Sequence, residues 1–394
     1  MIVPIIVLLA FQAYGSKIVV EAETQASFLT PDNWNEDVSA VNWDSSALRL
    51  VRFFTDETED GLSDPKWVTN QGKLDAKRDG NDFIDITENP DFDLYASTTA
   101  SFQAQHVYHP PNSTFVTRVI PLLRSEEQKA NLETFTSFYT RFYDSDTGHA
   151  SSRWLYNRIL NYTDEYASSD LKASVHIELV LYEHTFKQES VIIRLLPNNV
   201  SSSKFITIIG AHCDSLNIKY AGTVTILEAY RAILDSGYVP KSPLEFHFYA
   251  AEEGGLLGSL DIVSSYVKAG KDVRGMMQFD MTAWVAAGTE ETIGLVMDRV
   301  YLPLTEWQKS LVEAYLDISW TETMYDPRAG SDHHAWIYAG YPATTSIEGR
   351  WEDANEPNAH TPNDAIDISQ EFSFDHILQF TKLAVAFAVE LSDY

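Results

Sequence analysis

Histidine and carboxylate side chains stand directly after several short apolar runs of this sequence. The runs FITIIGA and LEFHFYA are each followed by such residues, GMMQF is closed by an aspartate, and a further histidine lies in the loop NEPNAHTPND. The six positions are His212, Asp214, Glu252, Glu253, Asp280 and His360. Nitrogen and oxygen ligands of this kind suit zinc, with manganese or cobalt as further options.

Each of these residues alone has an ordinary explanation. A lone histidine is more often a hydrogen-bonded structural residue than a ligand, and a pair of glutamates usually lies on the surface. The pair Glu252 and Glu253, however, follows an apolar run, where two adjacent carboxylates are costly to bury without a compensating charge. A nearby cation explains the whole set, so the sequence predicts a metal site.

The apolar runs are typical of the strands that would position these ligands. Residues 190–196 and 205–211 are β-branched and nearly continuous, as buried strands are, whereas residues 174–181 alternate like a half-buried strand. After them, residues 222–236 place apolar side chains on one helical face. Strands that alternate with helices predict an α/β sandwich with a largely parallel sheet, whose ligands gather at the carboxyl ends of the strands.

One helix upstream of these strands has its own start signal. Ser125 and Gln128 have the spacing of a capping box, and Leu132, Phe135, Tyr139 and Phe142 then recur at helical spacing. The pattern predicts a helix that begins after Ser125 and buries these side chains in the core.

The first residues have the character of a processed segment. Residues 1–15 combine an apolar core with small residues and are too short to span a bilayer, which predicts a secretory signal, with a buried strand as the alternative. Three glycosylation triplets, at Asn112, Asn161 and Asn199, agree with secretion. We therefore expect an extracellular protein.

Residues 16–82 differ in composition from the rest of the chain. They are rich in Asp, Asn, Trp and Thr, and Lys77-Arg78 near their end is a candidate processing site. We interpret this segment as a propeptide, with an ordinary N-terminal subdomain as the alternative. Residues 83–394 would then form the functional domain.

The overall composition limits the partners. The net charge of −29 argues against nucleic acid and against anionic membranes, and it favours a monomer. Cys213 is the only cysteine, so a disulfide framework is excluded.

Five blocks of the sequence resemble the secreted zinc aminopeptidases of the M28 metallopeptidase family, in particular the fungal leucine aminopeptidases. The blocks are GAHCDS, YAAEEGGLLGS, QFDMTAW, GSDHHAWIYAGYP and HTPND, and they occur in the family's order within residues 83–394. The resemblance implies a phosphorylase/hydrolase-like three-layer sandwich, two zinc ions and peptide substrates. By their places in these motifs, His212 and Asp280 would hold one zinc, and Glu253 and His360 the other.

The same resemblance implies two further roles. Glu252 would be the general base that takes a proton from the metal-bound water and passes it to the leaving amine. Asp214 would fix the tautomer of the His212 imidazole. Strand alternation predicts that the side chains of Glu252 and Glu253 point in different directions.

The chain departs from the family's pattern in two places. In the family, the loop after the His-x-Asp block carries the aspartate that bridges the two metals, but here CDSLNIKY leads directly into AGTVTILEA. Asp214 could move in as a substitute, whereas Asn217 is neutral and a poor bridge. The family's disulfide-closed turn with a tyrosine near the reacting carbonyl is replaced by TMYDPRAG, where Tyr325 is the nearest equivalent. The block SIEGRW would line the specificity pocket.

Two functions from different classes therefore remain open. The first is a secreted zinc aminopeptidase that removes N-terminal, apolar residues from peptides. The second is a catalytically impaired family member that lacks the bridging aspartate, either because it is a pseudoenzyme that acts by binding or because the gene model is incomplete.

Overall fold

The computed structural model describes residues 44–95, 106–138, 140–198, 204–215, 221–355, 358, 366 and 369–393. The predicted signal segment, residues 16–43 of the predicted propeptide, Tyr139, Asn199, Asn217 and His360 lie outside these ranges.

Within the described ranges, strands and helices alternate from residue 206 onward, except that two strands follow each other between residues 273 and 296. The strands are β1 Leu48–Phe53, β2 Lys66–Thr69, β3 Phe83–Asp85, β4 Val175–Tyr182, β5 Ser190–Pro197, β6 Ile206–His212, β7 Leu244–Tyr249, β8 Val273–Phe279, β9 Thr292–Val296, β10 Ser319–Thr323 and β11 Ala343–Ile347. The helices are α1 Asn70–Arg78, α2 Val116–Val119, α3 Ser125–Phe135, α4 Asp146–Tyr166, α5 Ser169–Ser174, α6 Gly222–Asp235, α7 Leu257–Lys268, α8 Leu302–Tyr315, α9 His333–Tyr338 and α10 Phe374–Ser392. Short 3₁₀ turns occur at Phe92–Leu94, Ile120–Leu122 and Trp351–Asp353.

Eight of the strands form one sheet in the order β10-β9-β11-β8-β6-β7-β5-β4. The central pairs β6–β7, β6–β8 and β8–β11 are parallel, as is the edge pair β9–β10. The pairs β4–β5, β5–β7 and β9–β11 are antiparallel. This mixed, mostly parallel sheet with flanking helices confirms the predicted α/β sandwich, and it brings the carboxyl ends of β6, β7 and β8 to one edge.

The sheet is covered on both faces by apolar clusters. One cluster joins α6 and α10 to the sheet, and a second joins α7 and α9 to it. Strand β6 is buried along its whole length, which agrees with the continuous apolar run of its sequence. None of the helices in the described part of the chain has both the length and the apolar character needed to cross a membrane.

Residues 44–95 form a small unit of their own, which we call the N-terminal lobe. Its three strands are antiparallel in the order β2-β1-β3, and α1 connects β2 to β3. Thr69 caps α1 by accepting a hydrogen bond from the Gly72 amide. The boundary predicted at residue 82 falls inside this unit, since β3 belongs to the same sheet as β1.

The helix predicted after Ser125 is present but differs from its prediction at both ends. The residue before the helix is Arg124, which makes no side-chain cap, and Ser125 is already helical, so the capping box was wrong. The Arg124 amide instead donates to the Glu228 carboxylate on α6, at 2.7 Å. The helix ends at Phe135, so Phe142 lies outside it and packs in a separate cluster.

Candidate metal centre

His212 and Asp280 meet at the carboxyl edge of the sheet. His212 is the last residue of β6, and Asp280 directly follows β8, the parallel neighbour of β6. The His212 Nε2 atom lies 3.3 Å from Asp280 Oδ1, and the two residues are 2% and 8% exposed. Parallel pairing thus brings together two ligands that are far apart in the sequence.

The first turn of α6 fixes the backbone beneath this pair. The Gly222 amide donates to the Asp280 carbonyl at 3.1 Å, and the Thr223 hydroxyl donates to the His212 carbonyl at 2.6 Å. A Cβ atom at Gly222 would lie 2.2 Å from the Phe279 carbonyl oxygen, so glycine is the residue that permits this close approach.

Asp214 links the two parts of the site. Its Oδ1 and Oδ2 atoms accept hydrogen bonds from the amides of Glu252 and Glu253, at 3.0 and 3.1 Å. The same Oδ1 atom lies 3.4 Å from His212 Nδ1. One fully buried carboxylate therefore holds the imidazole of His212 and the glutamate pair in one arrangement.

Glu252 and Glu253 lie in a turn and not on a strand. Strand β7 ends at Tyr249, and Ala251 has a positive φ of 56°, a left-handed conformation that is uncommon for alanine. The premise that strand alternation sets the directions of the two side chains was therefore wrong. Both glutamates are buried, at 4% and 3% exposure, and are oriented by the turn and by Asp214.

The structure adds a serine and an aspartate to the predicted set. The Ser331 hydroxyl donates to Asp280 Oδ2 at 2.7 Å. Asp332 is fully buried and accepts a hydrogen bond from Gln278 at 3.0 Å. Both residues belong to the block GSDHHAW, which the sequence comparison with the family had already singled out without giving them roles.

A lysine of the N-terminal lobe also enters the site. Lys77 Nζ lies 2.7 Å from Asp82 Oδ1, 3.2 Å from Glu253 Oε2 and 3.8 Å from Glu252 Oε2. Lys77 is 5% exposed and belongs to α1. Cleavage beside it, as its dibasic sequence suggests, would require the end of this helix to open.

The charges of these residues influence one another. Burial opposes the charged form of His212, but the Asp280 and Asp214 carboxylates outweigh it and hold its pKa well above the ordinary value. Burial would raise the pKa of Asp280, yet the charge of His212 lowers it below the ordinary value. Burial raises the pKa of Glu252 well above the ordinary value despite the nearby Lys77 ammonium.

The His212–Asp280 pair has the chemistry and spacing of two zinc ligands. Two ligands about 2.0–2.1 Å from one tetrahedral zinc are about 3.3–3.4 Å apart, close to the separation of these two atoms. The third predicted ligand, Glu253, faces Lys77. Across the residues that the structure describes, no three His, Cys, Asp or Glu side chains converge as a metal-binding group.

Tyr325 and the block SIEGRW lie beside this centre. Tyr325 is 7% exposed, with its ring 5.8 Å from that of His333 and 5.1 Å from that of Trp351. Burial and the Asp280 charge raise its pKa well above the ordinary value. Glu348 of the block accepts hydrogen bonds from the amides of Ala283 and Trp284, at 3.2 and 2.9 Å, which ties the block to the residues that follow Asp280.

A second His–carboxylate arrangement is closed to substrates. His184 contacts Asp261 at 2.9 Å and Ser190 at 2.8 Å, a sequence of contacts like that of a serine hydrolase. The Ser190 hydroxyl, however, is fully buried and accepts a hydrogen bond from the Ala250 amide. This trio is therefore part of the packing between β5 and α7.

Comparisons with known proteins show which proteins this chain resembles. The model of peptidase family M28 matches residues 190–385. Leucine aminopeptidase 1 of Aspergillus niger is 36% identical over 351 residues, which cover 83% of this chain and 86% of that protein. The protein of the same name from Grosmannia clavigera is 38% identical over 351 residues, covering 83% of each chain.

A solved structure shares the fold. The LapA aminopeptidase of Legionella pneumophila superposes with a TM-score of 0.73 at 24% identity, over 89% of this chain and 100% of that chain. Because the match includes most of the described chain, it supports the arrangement of the sheet and its helices.

Proposed function

The chain belongs to peptidase family M28, and from this premise we propose that it is a secreted, zinc-dependent aminopeptidase that removes apolar N-terminal residues from peptides. The curated relatives that it matches over most of their length are named leucine aminopeptidases. The acidic composition and the predicted signal segment favour a monomeric extracellular protein.

One observation carries the proposal. Asp214 holds the turn of Glu252 and Glu253 against His212, which itself contacts Asp280. These residues lie at the carboxyl edge of the sheet, where α/β proteins bind their substrates, which supports the proposed base and three of the proposed ligands. We propose that His212 and Asp280 hold one zinc, and that Glu253, together with His360, holds another.

The protein's own residues supply the proton transfers and the positioning. A bound zinc supplies a nucleophilic water at neutral pH and polarises the scissile carbonyl. Glu252 would accept a proton from the attacking water on its carboxylate and would donate it to the amine of the leaving group. Asp214 keeps the imidazole of His212 oriented, and Ser331 holds the carboxylate of Asp280 by its hydrogen bond.

An impaired family member is the second candidate, and a specific observation favours it. The sequence lacks the family's bridging aspartate, and the ammonium of Lys77 lies 3.2 Å from the carboxylate of Glu253. A protein of this kind would keep the fold and bind one metal weakly. Its zinc content after dialysis would be below two ions per chain.

Two matched substitutions test the proposed enzyme. Glu252→Gln keeps the shape of the side chain but removes its basic charge, so we expect kcat for leucine p-nitroanilide to fall about 10²–10⁴-fold with zinc content unchanged. Glu253→Gln should lower zinc affinity instead, and added zinc should restore part of the activity. Both variants are assayed beside the unmodified protein for hydrolysis and for bound zinc.

The controls separate the two functions. N-acetylated leucine p-nitroanilide has no free amine and should not be hydrolysed. If the unmodified protein shows no hydrolysis at saturating zinc, the impaired family member is the correct description. If Glu252→Gln loses zinc while Glu253→Gln retains it, the two roles are exchanged.

A further inference from the structure

Strands β9 and β10 begin at the same edge of the sheet that carries the candidate metal centre. Strand β11 is parallel to β8, whereas β9 is antiparallel to β11 and parallel to β10. The amino ends of β9 and β10 therefore lie beside the carboxyl ends of β8 and β11. Thr292 and Ser319, the first residues of β9 and β10, thus belong to the same edge as Asp280.

A polar cavity of about 220 Å³, which we call the edge cavity, lies at these amino ends. Trp320 and Glu322 of β10 both contact Lys309 on α8. Alternation along β10 therefore turns Ser319 and Thr321 to the opposite face of the sheet, where they line the cavity. The polar side chains of the lining include those of Glu290, Thr292, Ser319, Thr321, Arg350 and Asp353.

One wall of the edge cavity is fixed to the loop that follows β8. Glu348 lines the cavity, and its carboxylate accepts hydrogen bonds from the amides of Ala283 and Trp284 in that loop. A Cβ atom at Gly294 of β9 would lie 1.7 Å from the carbonyl oxygen of Gly349, so the segment after β11 crosses β9 in direct contact. The edge cavity and the candidate metal centre therefore border the same loop.

We propose that the edge cavity is a subsite for a basic side chain of the peptide substrate, several residues beyond the bond that is hydrolysed. This inference rests on the proposed function, because it extends the binding of a peptide outward from the same site. Sites for separate small molecules usually measure about 300–1,000 Å³. A cavity of about 220 Å³ is smaller than these and suits a single amino-acid side chain.

The charges of the lining favour lysine or arginine. Three carboxylates, those of Glu290, Glu348 and Asp353, line the cavity together with one guanidinium, that of Arg350. The Arg350 guanidinium lies 3.7 Å from the exposed carboxylate of Glu352. Because amides already hold the Glu348 carboxylate, Glu290 and Asp353 are the acids that a bound ammonium or guanidinium would meet. The net charge of −29 also favours a basic peptide.

The spacing of the strands determines which residue of the peptide reaches the edge cavity. In the sheet, β9 is the second strand and β10 the third strand away from β8, and neighbouring strands are about 4.7–4.9 Å apart. The cavity is therefore roughly 10–15 Å from Asp280 along the edge. An extended peptide advances about 3.3–3.6 Å per residue, so its fourth or fifth residue would reach the cavity.

A series of peptides tests this inference on the unmodified full chain. The peptides are Leu-Gly-Gly-Xaa-Gly-Gly and Leu-Gly-Gly-Gly-Xaa-Gly, where Xaa is Lys, Gly or Glu, and the release of leucine is measured. We expect KM to be about 2- to 10-fold lower with Lys than with Glu at the fourth or fifth position. The value of kcat should not change, because the contact is remote from the reacting bond. Equal KM values for Lys and Glu at both positions would overturn the inference.

Two sets of substitutions separate the edge cavity from a general effect of the acidic surface. The double variant Glu290→Gln and Asp353→Asn should lose the difference in KM between the Lys and Glu peptides. Glu322→Gln is the matched control, because Glu322 lies on the opposite face of β10 and pairs with Lys309 at 2.7 Å, so it should keep the difference. A difference that persists in the double variant, or that disappears in Glu322→Gln, contradicts the proposed subsite.

The same assays distinguish a failure of this inference from a failure of the proposed function. If the unmodified protein hydrolyses leucine p-nitroanilide and the peptides but shows no preference for lysine, only the subsite is refuted. If it hydrolyses neither leucine p-nitroanilide nor any peptide at saturating zinc, the proposed function fails, and this inference fails with it.

Discussion

Lys73 and Lys77 lie one turn apart on the same helix, yet they face clusters of opposite charge balance. The first, which we call the Asp85 cluster, contains Arg49, Lys73, Asp85 and Thr87. Asp85 Oδ2 accepts from Lys73 Nζ and Arg49 Nε at 2.6 and 2.8 Å, and Oδ1 accepts from the amide and hydroxyl of Thr87 at 3.1 and 2.6 Å. Two cations and two neutral donors therefore satisfy a single carboxylate.

The second, which we call the strand-end cluster, has the reverse balance. It contains His212, Asp214, Glu252, Glu253 and Asp280, with Lys77 as the nearest lysine. Four buried carboxylates share one imidazole and one ammonium there. Structural ion pairs are arranged to avoid such an excess of buried charge, whereas a site built to receive a cation requires it. The comparison distinguishes a cluster that stabilises the lobe from the cluster for which we propose metal binding.

The largest effect should come from breaking the Asp85 cluster. Asp85→Ala leaves Arg49 and Lys73 buried without their carboxylate, so we expect the free energy of unfolding to fall by about 3–5 kcal/mol. Chemical denaturation monitored by tryptophan fluorescence measures the loss.

Asp93→Ala is the matched control for this change. Asp93 pairs with Arg52 at 2.6 Å but is half exposed, so its loss should cost about 0–1 kcal/mol. Equal costs for the two substitutions would mean that the Asp85 cluster contributes no more than a surface pair.

The contributions of Asp85 and Asp332 to stability should depend on pH with opposite signs. Burial alone would raise the pKa of Asp85, but Lys73 and Arg49 hold it below the ordinary value, so its stabilisation is present above the unfolded pKa and is lost as pH falls through the folded pKa. Burial raises the pKa of Asp332, which faces the strand-end cluster, to about 7. The folded state then keeps a proton that the unfolded state loses, so this contribution to stability is present at low pH and is lost as pH rises toward 7.

Asp332→Asn tests whether Asp332 makes the protein less stable as pH rises. Between about pH 4 and 7 the unmodified protein should lose stability relative to the variant by at most about 1.4 kcal/mol per pH unit. Denaturation curves of both proteins at pH 5, 6 and 7, in the presence of a chelator, give the difference. A difference that is constant over this range would show that Asp332 is ionised in the folded protein.

A smaller effect should follow from weakening the link between His212 and the glutamate pair. Asp214→Asn can accept from only one of the two amides with its oxygen, so we expect a loss of about 1–3 kcal/mol in stability. Zinc affinity should fall by about 10–100-fold, because Asp214 also orients the imidazole. Asp146→Asn, which removes the charge of an exposed carboxylate, serves as the control and should change neither quantity. Unchanged zinc affinity in Asp214→Asn would show that Asp214 does not contribute to metal binding.

The sequence was informative where a local pattern decides the structure. Continuous β-branched runs predicted β5 and β6 correctly, and the helical face of residues 222–236 predicted α6 to within one residue. The residues at the ends of these elements could be placed near one another because parallel strands bring their carboxyl ends together. The predicted ligand roles themselves remain predictions.

The sequence was less informative where distant residues decide the structure. The start of α3 is set by the carboxylate of Glu228 and not by the local Ser125 pattern. The directions of Glu252 and Glu253 depend on a left-handed alanine and on Asp214, neither of which an alternation pattern contains. The dibasic pair Lys77-Arg78 predicted a processing site. The contacts of Lys77 with Glu252 and Glu253 could not be predicted, because they depend on how the lobe packs against the sheet domain.

The hydrogen bonds of Asp214 also bear on how this family can change over evolutionary time. They fasten the glutamate turn directly to the end of β6, so two hydrogen bonds hold Glu252 and Glu253 close to His212. A change of sequence elsewhere in the family that keeps Asp214 and the two amides therefore keeps the glutamate turn beside His212.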